Sequence, residues 1–239
     1  MQYLIFSLGF IFVSSLMGSV FPFVYNKDIN KKTTVFLNGF ASGVMLAAAI
    51  WSLLVPAFEV TNNKILVIFA FLVGTLIILM LDLIPLKNRK SNEYVKKMYF
   101  AVTIHNIPEG IIVGLAVGIG LTQGNIFDAI LVALAIGIQN IPESIALSTM
   151  LYHANENKMK SFLLSFVSSF VEPIFGIIAF CMIAILETSL FVFLGIAAGC
   201  MIYVVLSEMI PNTIDEEEIG GKIGLILGFI IMMFFDVFL

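Results

Sequence analysis

The sequence predicts an all-α, polytopic membrane protein of eight transmembrane helices, with an inverted 3+2+3 repeat and both termini outside. Three observations carry this. Apolar runs continue for about 20 residues, the length of a membrane-spanning helix. Charges are confined almost entirely to the gaps between them. The basic residues fall nearly all on one side of the resulting topology. Of 239 residues, 60% are apolar and 12% charged, about half the charge fraction of a soluble domain. A mean hydropathy of +1.08 leaves too little polar surface to coat a globule. Eight spans consume about 160 residues, so the remaining loops and termini exclude a large soluble domain. A membrane β-barrel is disfavoured because its strands alternate apolar and polar residues, whereas these runs are continuous. The net charge of −4 argues against a nucleic-acid partner. Cys181 and Cys200 lie inside apolar runs and read as packing residues rather than a disulfide framework.

The first run, 3–25, has neither the basic start nor the small-residue cleavage site of a signal peptide, so it is expected to be a permanent span. The others are 34–58, 65–86, 97–120, 127–151, 161–186, 189–209 and 219–238. Short connections make neighbouring helices antiparallel hairpins. Lys27, Lys31 and Lys32 follow the first span. Lys87, Arg89, Lys90, Lys96 and Lys97 lie between the third and fourth. Lys158 and Lys160 follow the fifth, and Lys222 lies in the first turn of the eighth. Eleven of the 12 basic residues thus fall on one side, with only Lys64 on the other. The basic loops are expected in the cytoplasm. The stretch Asp215-Glu216-Glu217-Glu218 lies on the same side; it reads as a solvated loop or as a weak cation-attracting patch.

The second and seventh spans read alike. Gly39-Phe40-Ala41-Ser42-Gly43-Val44-Met45-Leu46 parallels Gly195-Ile196-Ala197-Ala198-Gly199-Cys200-Met201-Ile202, and each helix ends near a proline, Pro56 or Pro211. Gly74 precedes Asp82, and Gly228 precedes Asp236, by eight residues in each case. Helices 1–3 therefore read as repeated in 6–8. With an odd number of helices per unit and two helices between, the copies have opposite orientation, as in many secondary transporters. Small residues that allow close helix packing would give a similar pattern.

Charges within spans are costly and mark function. The fourth span carries His105-Asn106-Ile107-Pro108-Glu109-Gly110 and the fifth Gln139-Asn140-Ile141-Pro142-Glu143-Ser144. Residues i and i+4 share a helix face, so His105 aligns with Glu109 and Gln139 with Glu143. Asn106 and Asn140 sit one turn before the same glutamates. Pro108 and Pro142 cannot bond the carbonyls of Ile104 and Ile138, so kinks are expected there, with freed carbonyls that can line a cavity. The sixth span adds Glu172-Pro173. Carboxylates at one depth repel one another when ionised; a divalent cation or protonation relieves this. One imidazole with carboxylates and amide oxygens, and no thiolate, suits a first-row divalent metal rather than a structural zinc or copper(I) site.

These residues resemble the metal motifs of the ZIP (Zrt/Irt-like) divalent-metal transporters, in particular the short bacterial members and the GufA-like branch. The resemblance covers the whole chain and makes 1–239 a single ZIP-type transmembrane domain. It implies a two-metal centre. One site uses His105, Glu109, Gln139 and Glu143; the other uses Asn106, Glu109, Asn140, Glu143 and Glu172, with Glu109 and Glu143 bridging. The chain departs from the commoner pattern at Gln139, where many members carry His, and at Asn140, where some carry an acid. These departures argue against strict zinc selectivity and tight occupancy of the second site. The loop Lys87–Lys97 is short, basic and free of His, so a metal-sensing loop there is not expected.

The implied activity is transport of Zn²⁺, with Fe²⁺, Mn²⁺, Co²⁺ or Cd²⁺ as alternatives, into the cytoplasm. The mechanism implied is alternating access, with helices 1, 4, 5 and 6 sliding against helices 2, 3, 7 and 8 in a homodimer. The expected location is the cell membrane, which is the inner membrane in a bacterium. The metal is cargo, and no resident cofactor is expected. Asp82 and Glu208 are candidate exit residues, and Asp236 and Glu59 candidate uptake residues, since acids at pore mouths concentrate cations; acids at helix ends also simply meet solvent. His153 reads as a solvated loop residue after the fifth span, with an exit ligand as the alternative. Two other functions compete. An intramembrane zinc protease wants His-Glu-x-x-His, and a di-iron bundle Glu-x-x-His on two helices; neither pattern is present. A proton-driven carrier of another solute would use Glu109, Glu143 and Glu172 as a relay.

Overall fold

The computed structural model describes residues 1–24, 31–83, 90–155, 157–183, 189–213 and 219–238, and these are helical apart from short connections. Helix α1 is Gln2–Ser19 and resumes after Val20 as the turn Phe21–Val24. Helix α2 is Lys31–Ala48, continued through a π-helical stretch, Ala49–Leu54, into Val55–Val60. Helices α3, α4, α5 and α6 are Lys64–Asp82, Lys90–Gln123, Ile126–Asn155 and Lys158–Cys181. Helix α7 is Leu190–Val204, continued through a second π-helical stretch, Val205–Met209, into Ile210–Thr213. Helix α8 is Ile219–Phe238.

Six of these are long and apolar enough to cross a membrane: Gln2–Val24, Val35–Val60, Val102–Gln123, Ile126–Ala154, Lys158–Cys181 and Leu190–Met209. Helices α3 and α8 carry shorter apolar stretches, Lys64–Met80 and Ile219–Phe235. At 1.5 Å per residue such a stretch covers about 26 Å, slightly less than the hydrocarbon thickness of about 30 Å.

The helices sort into matched pairs. Helix α2 packs chiefly on α8, α7 on α3, α1 on α5 and α6 on α4. The first two pairs use equivalent glycines. A Cβ on Gly43 would meet the Leu225 carbonyl oxygen at 2.0 Å, and one on Gly228 the Phe40 oxygen at 2.1 Å. In the other pair, a Cβ on Gly199 would meet the Phe71 oxygen at 2.1 Å, and one on Gly74 the Ile196 oxygen at 2.0 Å. Only glycine lets backbones approach this closely. Each π-helical stretch begins three residues beyond the matched sequence stretch, at Ala49 and at Val205. Trp51 in the first stretch packs edge-on against Phe229 of α8, with ring centroids 5.4 Å apart. Met45 and Met201, which occupy matching positions, are both fully buried.

Candidate metal centre

Helices α4, α5 and α6 each run through a proline, Pro108, Pro142 and Pro173. The polar residues of the two motifs lie beside these prolines. His105, Asn106, Glu109, Gln139, Asn140, Glu143 and Glu172 are all buried. Helix α6 comes close to α4 because residue 110 is glycine: a Cβ there would lie 2.1 Å from the Glu172 carbonyl oxygen.

Hydrogen bonds and close approaches join six of the seven residues in two groups. In the first, His105 Nε2 lies 3.2 Å from Glu109 Oε1 and 3.7 Å from Glu143 Oε2. Ligand atoms of His105, Glu109 and Glu143 all fall within 4.8 Å of one another, the one such group of His, Cys, Asp and Glu among the described residues. Gln139 donates its side-chain N–H to Glu109 Oε1. In the second group, Asn140 Nδ2 donates to Glu172 Oε2 at 2.8 Å. Asn106 Nδ2 donates to the Ser168 carbonyl at 3.1 Å.

Buried polar atoms are normally paired, and an orphan costs about 1–3 kcal/mol. Here the orphans concentrate on the motifs. Both ring nitrogens of His105, Asn106 Oδ1, Glu109 Oε2, Gln139 Oε1, Asn140 Oδ1 and Glu143 Oε2 are buried without a hydrogen-bond partner. Apart from the ring nitrogens, of which neutral imidazole protonates only one, these are oxygens that offer an anion no donor. Imidazole nitrogen with carboxylate and amide oxygens is a donor set for a divalent cation.

Sequence reasoning did not identify Ser15 of α1 and Ser168 of α6. Ser15 accepts from Asn140 Nδ2 at 3.1 Å and donates to Glu172 Oε1 at 3.3 Å. Ser168 pairs with Thr103 through their hydroxyls at 2.9 Å. The available signal was a serine file on each helix: Ser7, Ser14, Ser15 and Ser19 on α1, and Ser161, Ser165, Ser168 and Ser169 on α6, all buried.

Of the residues expected at the mouths, two have described side chains, and neither belongs to the His105–Glu109–Glu143 group. Glu59 is exposed near the end of α2, and Glu208 is half-buried in the second π-helical stretch. Asp82 and Asp236 fall in α3 and α8, but their side chains lie outside the described residues, as does the stretch 215–218. His153 is not in a loop: α5 continues to Asn155, so the residue is an exposed part of its last turn. One turn from the motifs lies a cavity of about 270 Å³, bounded by Trp51, Pro56, Ile112, Leu131, Ile136 and Leu194 among others, with Ser52 its one polar side chain.

A protein-family model described as ZIP zinc transporter matches residues 95–236, which includes both motifs and Glu172. The zinc transporter ZupT of Chlorobium chlorochromatii is 29% identical over 250 residues, covering 92% of this chain and 90% of the relative. ZupT of Streptococcus mutans is 31% identical over 249 residues, covering 92% and 91%. The zinc transporter ZIP11 of Xenopus tropicalis is 38% identical over 157 residues, covering 63% of this chain and 46% of that protein.

Proposed function

The chain belongs to the ZIP zinc transporter family, and from this premise we propose that it carries Zn²⁺ into the cytoplasm through a two-metal centre between α4, α5 and α6. It is a multi-pass membrane protein, and we read its location as the cell membrane. The observation that carries the proposal is the set of orphaned oxygens and imidazole nitrogens on the two buried motifs. Divalent cations would take one imidazole nitrogen and these oxygens as ligands and relieve the repulsion between Glu109 and Glu143. In this reading His105, Glu109, Gln139 and Glu143 hold the first ion, and Asn106, Asn140 and Glu172 with the shared glutamates hold the second. The relatives are named as zinc transporters, which favours a carrier over an enzyme.

The topology we propose has eight spans in one domain over 1–239, with α3 and α8 completing the crossings and both termini outside. The basic-residue asymmetry supports the orientation, and the equivalent glycine contacts of α2–α8 and α7–α3 support the inverted repeat. Such repeats rock against each other around a site near the midplane. We take the carrier to act by alternating access, with α1, α4, α5 and α6 moving together, and to form a homodimer. Zn²⁺ uptake by proteoliposomes containing the purified protein, with competition by Fe²⁺, Mn²⁺, Co²⁺ and Cd²⁺, tests the activity. Uptake no faster than in protein-free vesicles refutes it.

A further inference from the structure

We propose that Ser15 of α1 is a positioning residue of the metal centre: its hydroxyl holds the Asn140 amide against Glu172, which leaves Asn140 Oδ1 free to face a cation. This rests on the reading of the centre given above and extends it to a helix outside the motifs. Helix α1 lies directly against the second motif, because a Cβ on Gly18 would sit 2.4 Å from the Ile141 carbonyl oxygen. Ser15 is buried one turn earlier on α1. Its hydroxyl, the Asn140 amide and the Glu172 carboxylate close a ring of three hydrogen bonds across α1, α5 and α6, at 3.1, 2.8 and 3.3 Å.

The ring decides which way the amide faces. Asn140 turns its NH₂ toward Glu172 Oε2, the direction required when Glu172 is ionised as a metal ligand and has no proton to give. Its Oδ1 then faces away, buried and without a partner. Ser15 reinforces that direction by accepting from the same Nδ2. The hydroxyl carries one proton and has two acceptors within reach, Glu172 Oε1 and its own helix's Ile11 carbonyl at 3.1 Å. When a cation takes a Glu172 oxygen, the proton can swing to Ile11 while the lone pair still holds Asn140. Asn140 therefore keeps its orientation whether or not Glu172 is engaged. Neighbouring serines lack this reach: Ser19 pairs with Ser165 at 2.7 Å, and Ser148 donates to the Gly18 carbonyl.

The test uses the full-length purified protein, Zn²⁺ titration calorimetry and bound-metal analysis on Ser15→Ala, Ser15→Thr and Glu109→Ala. Loss of a partner that orients a ligand weakens metal binding by about 10–100-fold. Ser15→Ala is expected to weaken the lower-affinity Zn²⁺ by that factor and to raise KM for uptake with little change in Vmax. Melting in chelator should stay at the parent value. Ser15→Thr, which keeps the hydroxyl, should restore binding. Parent-like affinity in Ser15→Ala, or equal weakening in both serine variants, overturns the proposal. Should Ser15→Ala not fold, Ser15→Cys, of similar size and a weak donor, must give the same weakening. Glu109→Ala separates the two ideas. If it binds Zn²⁺ as the parent does, the centre itself is refuted; if it loses Zn²⁺ while Ser15→Ala does not, only the role of Ser15 falls.

Discussion

Gln139 on α5 donates its side-chain N–H to the carboxylate of Glu109 on α4, tying the two motif helices together inside the membrane. That bond turns Gln139 Oε1 away, where it is buried without a partner. In the proposed centre this orientation offers Gln139 as an oxygen ligand. Oxygen is a harder ligand than imidazole, and imidazole suits Zn²⁺. Gln139→His is expected to raise the Zn²⁺/Mn²⁺ uptake ratio severalfold. A ratio that is unchanged or reversed sinks the assignment of this residue as a selectivity-setting ligand.

Glu109 and Glu143 both approach His105 Nε2. Removing either deletes a ligand and a charge at once. Glu109→Ala and Glu143→Ala are each expected to lose at least about tenfold in Zn²⁺ affinity and most transport, with normal membrane insertion. Near-normal uptake by either variant in proteoliposomes contradicts a shared centre.

Glu172 is bonded to Asn140 and Ser15. It is the charged member of the second group. Glu172→Gln is expected to lower the bound-metal count while leaving one ion in place, and to slow transport rather than abolish it. Full stoichiometry means that Glu172 is not a ligand. A complete loss of metal means that the two sites are not separable.

Gly110 sets the distance between α4 and α6, because any Cβ there collides with the Glu172 backbone. Gly110→Ala must push α6, and Glu172 with it, away from the centre. Overpacking of this kind costs about 1–3 kcal/mol. The variant should melt lower than the parent in detergent and bind Zn²⁺ less tightly. Gly9→Ala is the control, since a Cβ there meets nothing within 4 Å; equal effects at both positions would falsify the packing account.

Much of this was legible from patterning, and the reasons are physical. Long apolar runs broken by charge give helices, because backbone polar groups in lipid must be satisfied within the segment. The paired motifs were visible because His105, Glu109 and Glu143 have no cheap place in an apolar helix. Ser15 was not visible, because a serine in such a helix most simply bonds its own i−4 carbonyl, as Ser15 also does to Ile11. Nothing local separates it from Ser14 or Ser19; its role comes from where α1 lies on α5. The π-helical stretches at Ala49–Leu54 and Val205–Met209 were missed for a related reason. A single extra residue per turn leaves the apolar run intact, so composition does not register it. The extension of α5 through His153 was hidden because His153, Asn155 and Glu156 look like a loop although the helix continues to Asn155.

The cavity bounded by Trp51, Ile112, Ile136 and Leu194 has an electrical consequence. Walls this apolar give water few hydrogen-bond partners, so the space is expected to be poorly hydrated and to act as an insulating layer in series with the wetter regions around it. The membrane voltage is then expected to fall more steeply there than elsewhere in the protein. Moving charge through the full voltage is worth about 2.3 kcal/mol per elementary charge per 100 mV, so a bare divalent ion crossing there would feel about twice that. Carriage of the ion past this layer is therefore expected to be the voltage-sensitive step, with Zn²⁺ uptake accelerating when vesicles are polarised negative inside by a potassium gradient. Ile112→Ser with Ile136→Ser, which wets the same space, should flatten that dependence.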